Sequence, residues 1–169
     1  MNASDVLHYG HDFVLRNLVD LPMQHWNTEN VCGWWSTKDI ISHLTSFEWV
    51  LNESLQTFLG GGPTPHMEQL AADHGKFNDD QVAARKDHSP QQVYDEYQAQ
   101  HAKSMGLIAR IPADVIRQAG AIPWYGLEYS LDDYIVYQYY GHKREHMAQV
   151  NVFKDLLKHT GQLPSTFSD

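Results

Sequence analysis

The segment from residue 131 to residue 158 restricts the fold most, because its apolar side chains recur at helical spacing along its whole length. The apolar positions that share one face of this predicted helix are Leu131, Ile135, Tyr139, Val150, Phe153 and Leu157. His142 and His146 fall in the same stripe, about one turn apart. An unpartnered buried ring nitrogen costs about 1–3 kcal/mol. A core-facing helix of this kind must therefore supply partners for both imidazoles.

Two kinds of partner satisfy such a histidine pair. One divalent cation could be bound by both imidazoles at once. Alternatively, the rings could form hydrogen bonds with nearby hydroxyl or carboxylate groups, and the segment contains Tyr134, Tyr137, Tyr139, Tyr140 and Glu145. The full His-Glu-x-x-His pattern of zinc proteases is absent. The pair by itself leaves both interpretations open.

Three further long helices are predicted from apolar periodicity and from residues that start or stop helices. Serine caps favour the starts of the second and third helices, and glycine or proline favours the ends. The predicted bounds are Ser4 to about Leu18, the Ser36 cap to the glycines at 60–62, and the Ser89 cap to Pro112.

The connection between the second and third predicted helices is polar. A short helix from Asp79 to about Lys86, with Asn78 as its cap, is predicted within it. The sequence therefore predicts an all-α fold, a four-helix bundle with a short extra helix in the helix 2 to helix 3 connection. We expect one domain over residues 1–163, followed by a C-terminal tail over residues 164–169.

Other histidines lie on the predicted helices. His43 lies about 60° from the centre of the apolar stripe of helix two, so it can point inward and is the third candidate metal ligand. His8 and His11 are three residues apart on helix one, where a solvent-facing helix flank is the favoured interpretation over a ligand role. His101 falls in the stripe of helix three and is interpreted as a hydrogen-bonded core histidine.

Composition excludes several functions. The net charge is -9 and the chain has 12 Lys and Arg residues, so a nucleic-acid groove is not expected. No apolar run approaches the roughly 20 residues of a membrane span, and the first residues do not form a signal peptide, so we expect a cytoplasmic protein. The single cysteine, Cys32, excludes an internal disulfide and a cysteine-rich zinc site.

Two motifs carry a resemblance to a known family. The sequence Trp35-Ser-Thr-Lys-Asp-Ile-Ile-Ser-His43-Leu44 resembles the opening of helix two in the DinB-like superfamily of four-helix bundles. Tyr140-Gly-His142-Lys-Arg-Glu-His146-Met-Ala-Gln149-Val150 resembles the motif on the last helix of that superfamily. Phe77-Asn78-Asp79 and the Ser89-Pro90 helix start are similar to the DfsB-type subgroup.

The resemblance implies that His43, His142 and His146 converge on one divalent metal, with zinc or nickel expected first and iron as a further possibility. Superfamily members include transferases that use low-molecular-weight thiols, an isomerase and a hydrolase that inactivates a toxin. The resemblance therefore implies a small-molecule substrate, a possible low-molecular-weight thiol cofactor and a homodimer, with no nucleic-acid or membrane partner.

The chemistry expected of a three-histidine site follows from its open coordination position. Water or a thiol bound there would become a nucleophile, which suits hydrolysis or thiol-dependent transfer. The alternative is a small-molecule-binding or structural metalloprotein without catalysis. A third class is a metal-free helical scaffold. Glu145, Glu48 and Gln149 are candidates for orienting a ligand, and the aromatic residues Trp34, Trp35, Trp124 and Tyr125 are interpreted mainly as packing anchors.

Overall fold

The computed structural model describes residues 2–164, and within this range it contains helices and no β-strand. Residues 165–169 of the predicted tail lie outside the described range. A π-helical segment, Val136–Gly141, joins the last two α-helices without a break. The α-helices are α1 Ala3–Leu18, α2 Thr37–Thr57, α3 Pro65–Ala72, α4 His74–Ala83, α5 Pro90–Ile108, α6 Ala113–Ile116, α7 Leu131–Ile135 and α8 His142–His159.

Reciprocal side-chain caps fix where the longer helical segments begin. In each cap, one side chain accepts from a backbone N–H in the first turn, and the side chain of that residue accepts in return from the cap backbone. The pairs are Asn2 with Asp5, Ser36 with Asp39, Ser89 with Gln92, and Ser130 with Asp133. The predicted starts of helices two, three and four are thereby confirmed.

The connection between α2 and α5 differs from the prediction of a single short helix at 79–86. It contains two helices, α3 and α4, and α4 ends at Ala83. The N-cap of α4 is Asp73, whose side chain accepts from the Lys76 N–H, so the predicted cap Asn78 lies inside the helix. Phe77 is the single buried residue of these two helices, so neither helix presents a broad apolar stripe to the core. Phe77 packs against Phe47 of α2 and anchors this region to the core.

The long helices α1, α2, α5 and α8 contribute most of their buried apolar side chains to two clusters. α2 is buried over most of its length and packs against α5, while α1 packs against α8, the π-helical segment and α5. A polar layer of four side chains separates the two clusters. Along its helical segment, each member lies between an apolar residue of one cluster and an apolar residue of the other. The four members are His11, Glu48, His101 and Lys143.

Among residues 2–164, every helix is too short or too polar to cross a bilayer. The helices instead bury their apolar faces against one another within the chain.

Candidate metal centre

α2 and α8 bring the three predicted ligands together. The Nε2 atom of His142 lies 2.8 Å from Nε2 of His43 and 2.9 Å from Nε2 of His146. The ligand atoms of the three residues all lie within 4.8 Å of one another. His43 and His146 are buried, and His142 is half-buried. This histidine triad, His43, His142 and His146, could hold a metal ion.

The helices explain how the triad forms. His142 and His146 lie on one face of α8 because four residues advance a helix by about one turn. His142 is the first residue of α8, directly after the π-helical segment. A π-helix adds a residue to the turn and is frequent at functional sites. His43 comes from the second turn of α2, across the core from α8.

The hydrogen-bonding capacity of the triad favours a cation. His146 Nδ1 lies 2.9 Å from Gln149 Oε1, so Nδ1 carries the hydrogen that is donated and Nε2 of the neutral ring has a free lone pair. His142 Nε2 faces both other Nε2 atoms, yet it can supply at most one hydrogen. The three Nε2 atoms therefore make two close contacts, and they do not have enough hydrogens to form a hydrogen bond in each. A cation would accept all three lone pairs.

Two of the tyrosines that could have been hydrogen-bond partners of the histidines bond to each other instead. The hydroxyls of Tyr134 and Tyr139 bond to each other at 2.9 Å. Within residues 2–164, the ring nitrogens of the triad bond to each other and to Gln149, and buried Nδ1 of His43 has no partner. Gln149 thus orients the His146 ring, although a structural role was the favoured interpretation for this residue.

The electrostatic surroundings keep the triad neutral. Burial, followed by the nearby His142 and His146, lowers the pKa of His43 to about 2. Burial, followed by the neighbouring His146 and Lys143, lowers the pKa of His142 to about 3. Burial also lowers the pKa of His146. Neutral imidazole is the form that binds a metal, so the triad is ready to do so at neutral pH.

Aromatic rings enclose the triad. The Phe47 ring centre lies 4.9 Å from that of His43 and 4.6 Å from that of His142. The Trp35 ring centre lies 4.9 Å from that of His43 and 6.4 Å from that of His146. Trp34, by contrast, is 74% exposed and is not a packing anchor. The two enclosing rings limit the positions from which water can reach the histidines.

The other predicted anchors, Trp124 and Tyr125, pack away from the triad. Their ring centres lie 5.1 Å and 4.8 Å from that of Tyr134. Both therefore stabilise the start of α7, which agrees with their interpretation as packing residues.

One open cavity reaches the triad. It has a volume of about 460 Å³ and is lined by Phe47, His74, Tyr137, Gln138, Gly141, His142 and Glu145. A larger cleft of about 610 Å³ is lined by Trp35 but by none of the three histidines. The smaller cavity therefore gives a small molecule access to His142.

His74 also lines this cavity, although the sequence did not mark it as a site residue. This exposed residue begins α4, directly after the Asp73 cap and three positions before the buried Phe77. Its ring centre lies 6.1 Å from that of Phe47. The apolar period of α4 is too weak to have placed its first residue beside α2. The cap and the isolated phenylalanine were the available signals.

Glu48 belongs to the polar layer rather than to the triad. Its Oε1 accepts a hydrogen bond from Lys143 Nζ at 2.5 Å, and its Oε2 accepts one from Ser104 at 2.8 Å. Burial alone would raise the pKa of Glu48, but the charge of Lys143 and the proximity of His101 outweigh it and hold the pKa well below its usual range. Glu48 and Lys143 thus form a buried ion pair, which is a structural role.

The prediction that His11 faces solvent is wrong. His11 is 8% exposed and stacks on His101, with ring centres 3.8 Å apart and an interplanar angle of 4°. His8 is exposed, and its Nε2 lies 3.3 Å from Oδ2 of Asp12. His101 is buried as predicted, but its Nδ1 has no hydrogen-bond partner and lies 3.7 Å from Glu48. That distance permits electrostatic attraction without a hydrogen bond.

Acid should destabilise the protein through His11. Burial lowers its pKa to about 3, with smaller contributions from His101 and Lys143, against an ordinary value of 6.5. Between these values the unfolded chain binds a proton that the folded chain excludes, so the free energy of unfolding falls as pH falls, by up to about 1.4 kcal/mol per pH unit. His11→Phe retains a ring against His101 but cannot titrate. We expect a shallower loss of stability between about pH 6 and pH 4, measured by urea unfolding.

The exposed His8 provides the control for this measurement. His8→Phe makes the same replacement at an exposed position of the same helix and should keep the wild-type dependence on pH. An identical slope in wild type and His11→Phe would show that His11 does not contribute.

Comparison with known proteins adds no relative. Protein-family models, curated proteins and solved structures were all compared with the chain, and none of them matches.

Proposed function

We propose that this protein binds a divalent metal through His43, His142 and His146 and uses it as an enzyme on a small molecule. The supporting observation is the convergence of three neutral Nε2 atoms that have too few hydrogens to satisfy one another. The adjoining cavity gives a substrate access to His142. Hydrolysis and thiol-dependent transfer are the two reaction classes proposed.

We further propose a DinB-like four-helix bundle of α1, α2, α5 and the last helix. Its support is the pair of motifs around His43 and His142, together with packing of α1 and α2 against their long-helix neighbours. A homodimer and a cytoplasmic location belong to the same proposal and rest on the resemblance and composition.

The ligand set defines the chemistry available. Three histidines leave a coordination position for water or a thiol, and a bound zinc, nickel or iron ion would lower the pKa of that group. The residues of this chain orient and enclose the site. Gln149 fixes the tautomer of His146, while Phe47 and Trp35 exclude water from two sides. A low-molecular-weight thiol is the proposed co-substrate for the transferase reaction.

A metalloprotein without catalysis is the alternative. The observation in its favour is the enclosure of the histidines by Phe47 and Trp35, because structural metal sites are closed whereas catalytic sites keep an open position. The cavity beside His142 favours the enzyme, because a structural metal needs no access from solvent.

Metal binding should stabilise the fold. We expect metal-free protein to bind one zinc ion per chain in a calorimetric titration. Metal at 100 times its Kd should add about 2.7 kcal/mol to the free energy of unfolding. For a chain of this size that corresponds to a Tm increase of about 5–10 °C, measured by differential scanning calorimetry.

A separate experiment tests catalysis. Metal-free and metal-loaded protein would be assayed for hydrolysis of a panel of esters and amides, and for transfer of a low-molecular-weight thiol to electrophiles. The enzyme proposal requires turnover that a chelator abolishes and that one metal restores. Stoichiometric metal without such turnover would support the alternative, and no metal binding would remove both.

A further inference from the structure

The cavity beside His142 has an unusual combination of walls, which we call the aromatic–acidic site: Phe47, Tyr137 and Glu145. We propose that this site binds the ammonium group of a small amine, either primary or quaternary. The inference rests on the proposed function in taking the amine to be the substrate, but the binding preference itself requires no metal.

The charged side chains around the cavity favour a cationic ligand. Glu145 is exposed and supplies the one carboxylate among the residues that line the cavity. In the described part of the chain, no lysine or arginine lines it. The two cations nearest in sequence are directed elsewhere, because Lys143 is paired with buried Glu48 and the Arg144 guanidinium lies 5.7 Å from the centre of the Tyr140 ring. The lining therefore offers no lysine or arginine to an anionic ligand.

Two aromatic residues, Phe47 and Tyr137, line the cavity and also favour an ammonium group. Tyr137 is 60% exposed although it is a large aromatic residue, and its nearest ring neighbour is Tyr129 with centres 6.2 Å apart. Phe47 forms the inner wall, where its ring lies against those of His43 and His142. Aromatic faces attract alkylammonium groups, and the attraction grows when the cation is desolvated.

The position of Glu145 beside the triad would allow one molecule to reach both Glu145 and His142. Glu145 is next to His146 in sequence but about 100° around the helix, so Glu145 lines the cavity and is not part of the triad. An ammonium group near Glu145 would leave the remainder of the molecule to extend towards His142. His74 and Gln138 provide hydrogen-bonding groups for that remainder. A volume of about 460 Å³ is within the usual range for small-molecule sites.

The test uses three probes of nearly equal shape. Choline is cationic, 3,3-dimethylbutan-1-ol is its neutral isostere, and 3,3-dimethylbutyrate is an anionic analogue. Affinities would be measured by ligand-observed NMR titration of the intact chain at low salt, with and without zinc. We expect choline to bind about tenfold more tightly than the neutral alcohol and the anion to bind least. The preference should decrease in about 0.5 M salt.

Two variants with the same change in charge locate the preference. Glu145→Gln should reduce the advantage of choline to about twofold, whereas Asp155→Asn, at an exposed position further along α8, should leave it unchanged. Tyr137→Leu should weaken choline severalfold with little effect on the anion. Circular dichroism and urea unfolding would verify that each variant is folded.

The outcomes separate this inference from the metal proposal. Equal binding of choline and its neutral isostere, tighter binding of the anion, or an unchanged preference in Glu145→Gln would each overturn the ammonium site. These results can be read in metal-free protein, so a failure of zinc to bind would overturn the metal proposal without deciding this one. A choline preference that responds to Glu145 and Tyr137 but not to Asp155 would establish the site.

Discussion

Lys143→Met will lower the free energy of unfolding by about 3–5 kcal/mol, because it leaves the carboxylate of Glu48 buried without a counter-ion. Burial then raises the pKa of Glu48, since the charge that lowers it has been removed. A carboxyl whose folded pKa lies above its unfolded value loses stability as pH rises through that interval. The loss relative to wild type should therefore be larger at pH 7 than at about pH 5, as measured by urea unfolding.

Two further variants make the Lys143 prediction specific. The double variant Glu48→Gln, Lys143→Met removes both charges and should recover more than half of the lost stability. Arg144→Met removes a charge from the exposed neighbour and should cost less than about 1 kcal/mol. If Lys143→Met costs no more than Arg144→Met, the ion pair does not stabilise the core.

His142→Gln will weaken zinc binding at least about 100-fold. The central nitrogen of the triad is lost, and glutamine is a poor ligand for zinc. Structural zinc sites with four ligands bind with about 10–16 kcal/mol, so one ligand accounts for roughly 3 kcal/mol, or about two decades of affinity. The measurement is a competition titration against a chromophoric chelator.

An exposed histidine on the same helix is the matched control. His159 is the last residue of α8 and lies far along the helix from the triad, so His159→Gln should retain wild-type affinity. Equal affinity of His142→Gln and wild type would show that zinc is bound elsewhere. Loss of affinity in both variants would indicate weak binding to surface histidines rather than a defined site.

Local sequence predicted the features that depend on neighbouring residues. Ser36 and Asp39 are three positions apart, so the capping box that begins α2 could be recognised without knowledge of the rest of the chain. The same is true of Ser130 with Asp133. The shared face of His142 and His146 follows from helical geometry alone. The starts of helices two, three and four were confirmed for this reason.

Features that depend on contacts between distant residues could not be obtained in this way. The π-helical turn before His142 has no local signature that was recognised, and His74 reaches the cavity because Phe77 anchors α4 to α2. His11 is buried because it stacks on His101 of another helix. A helical period cannot show which helix will cover a polar residue at the edge of an apolar stripe.

The amino-acid sequence by itself determined an all-α chain with long capped helices and two histidines on one face of the last helix. It also marked His43 as a residue near the core. The tertiary structure decided that His43 meets His142, 99 positions away, and that Glu48 pairs with Lys143 rather than with a ligand. The physical reason is that spacing fixes directions within one helix, whereas packing of α2 against α8 fixes the distances between helices.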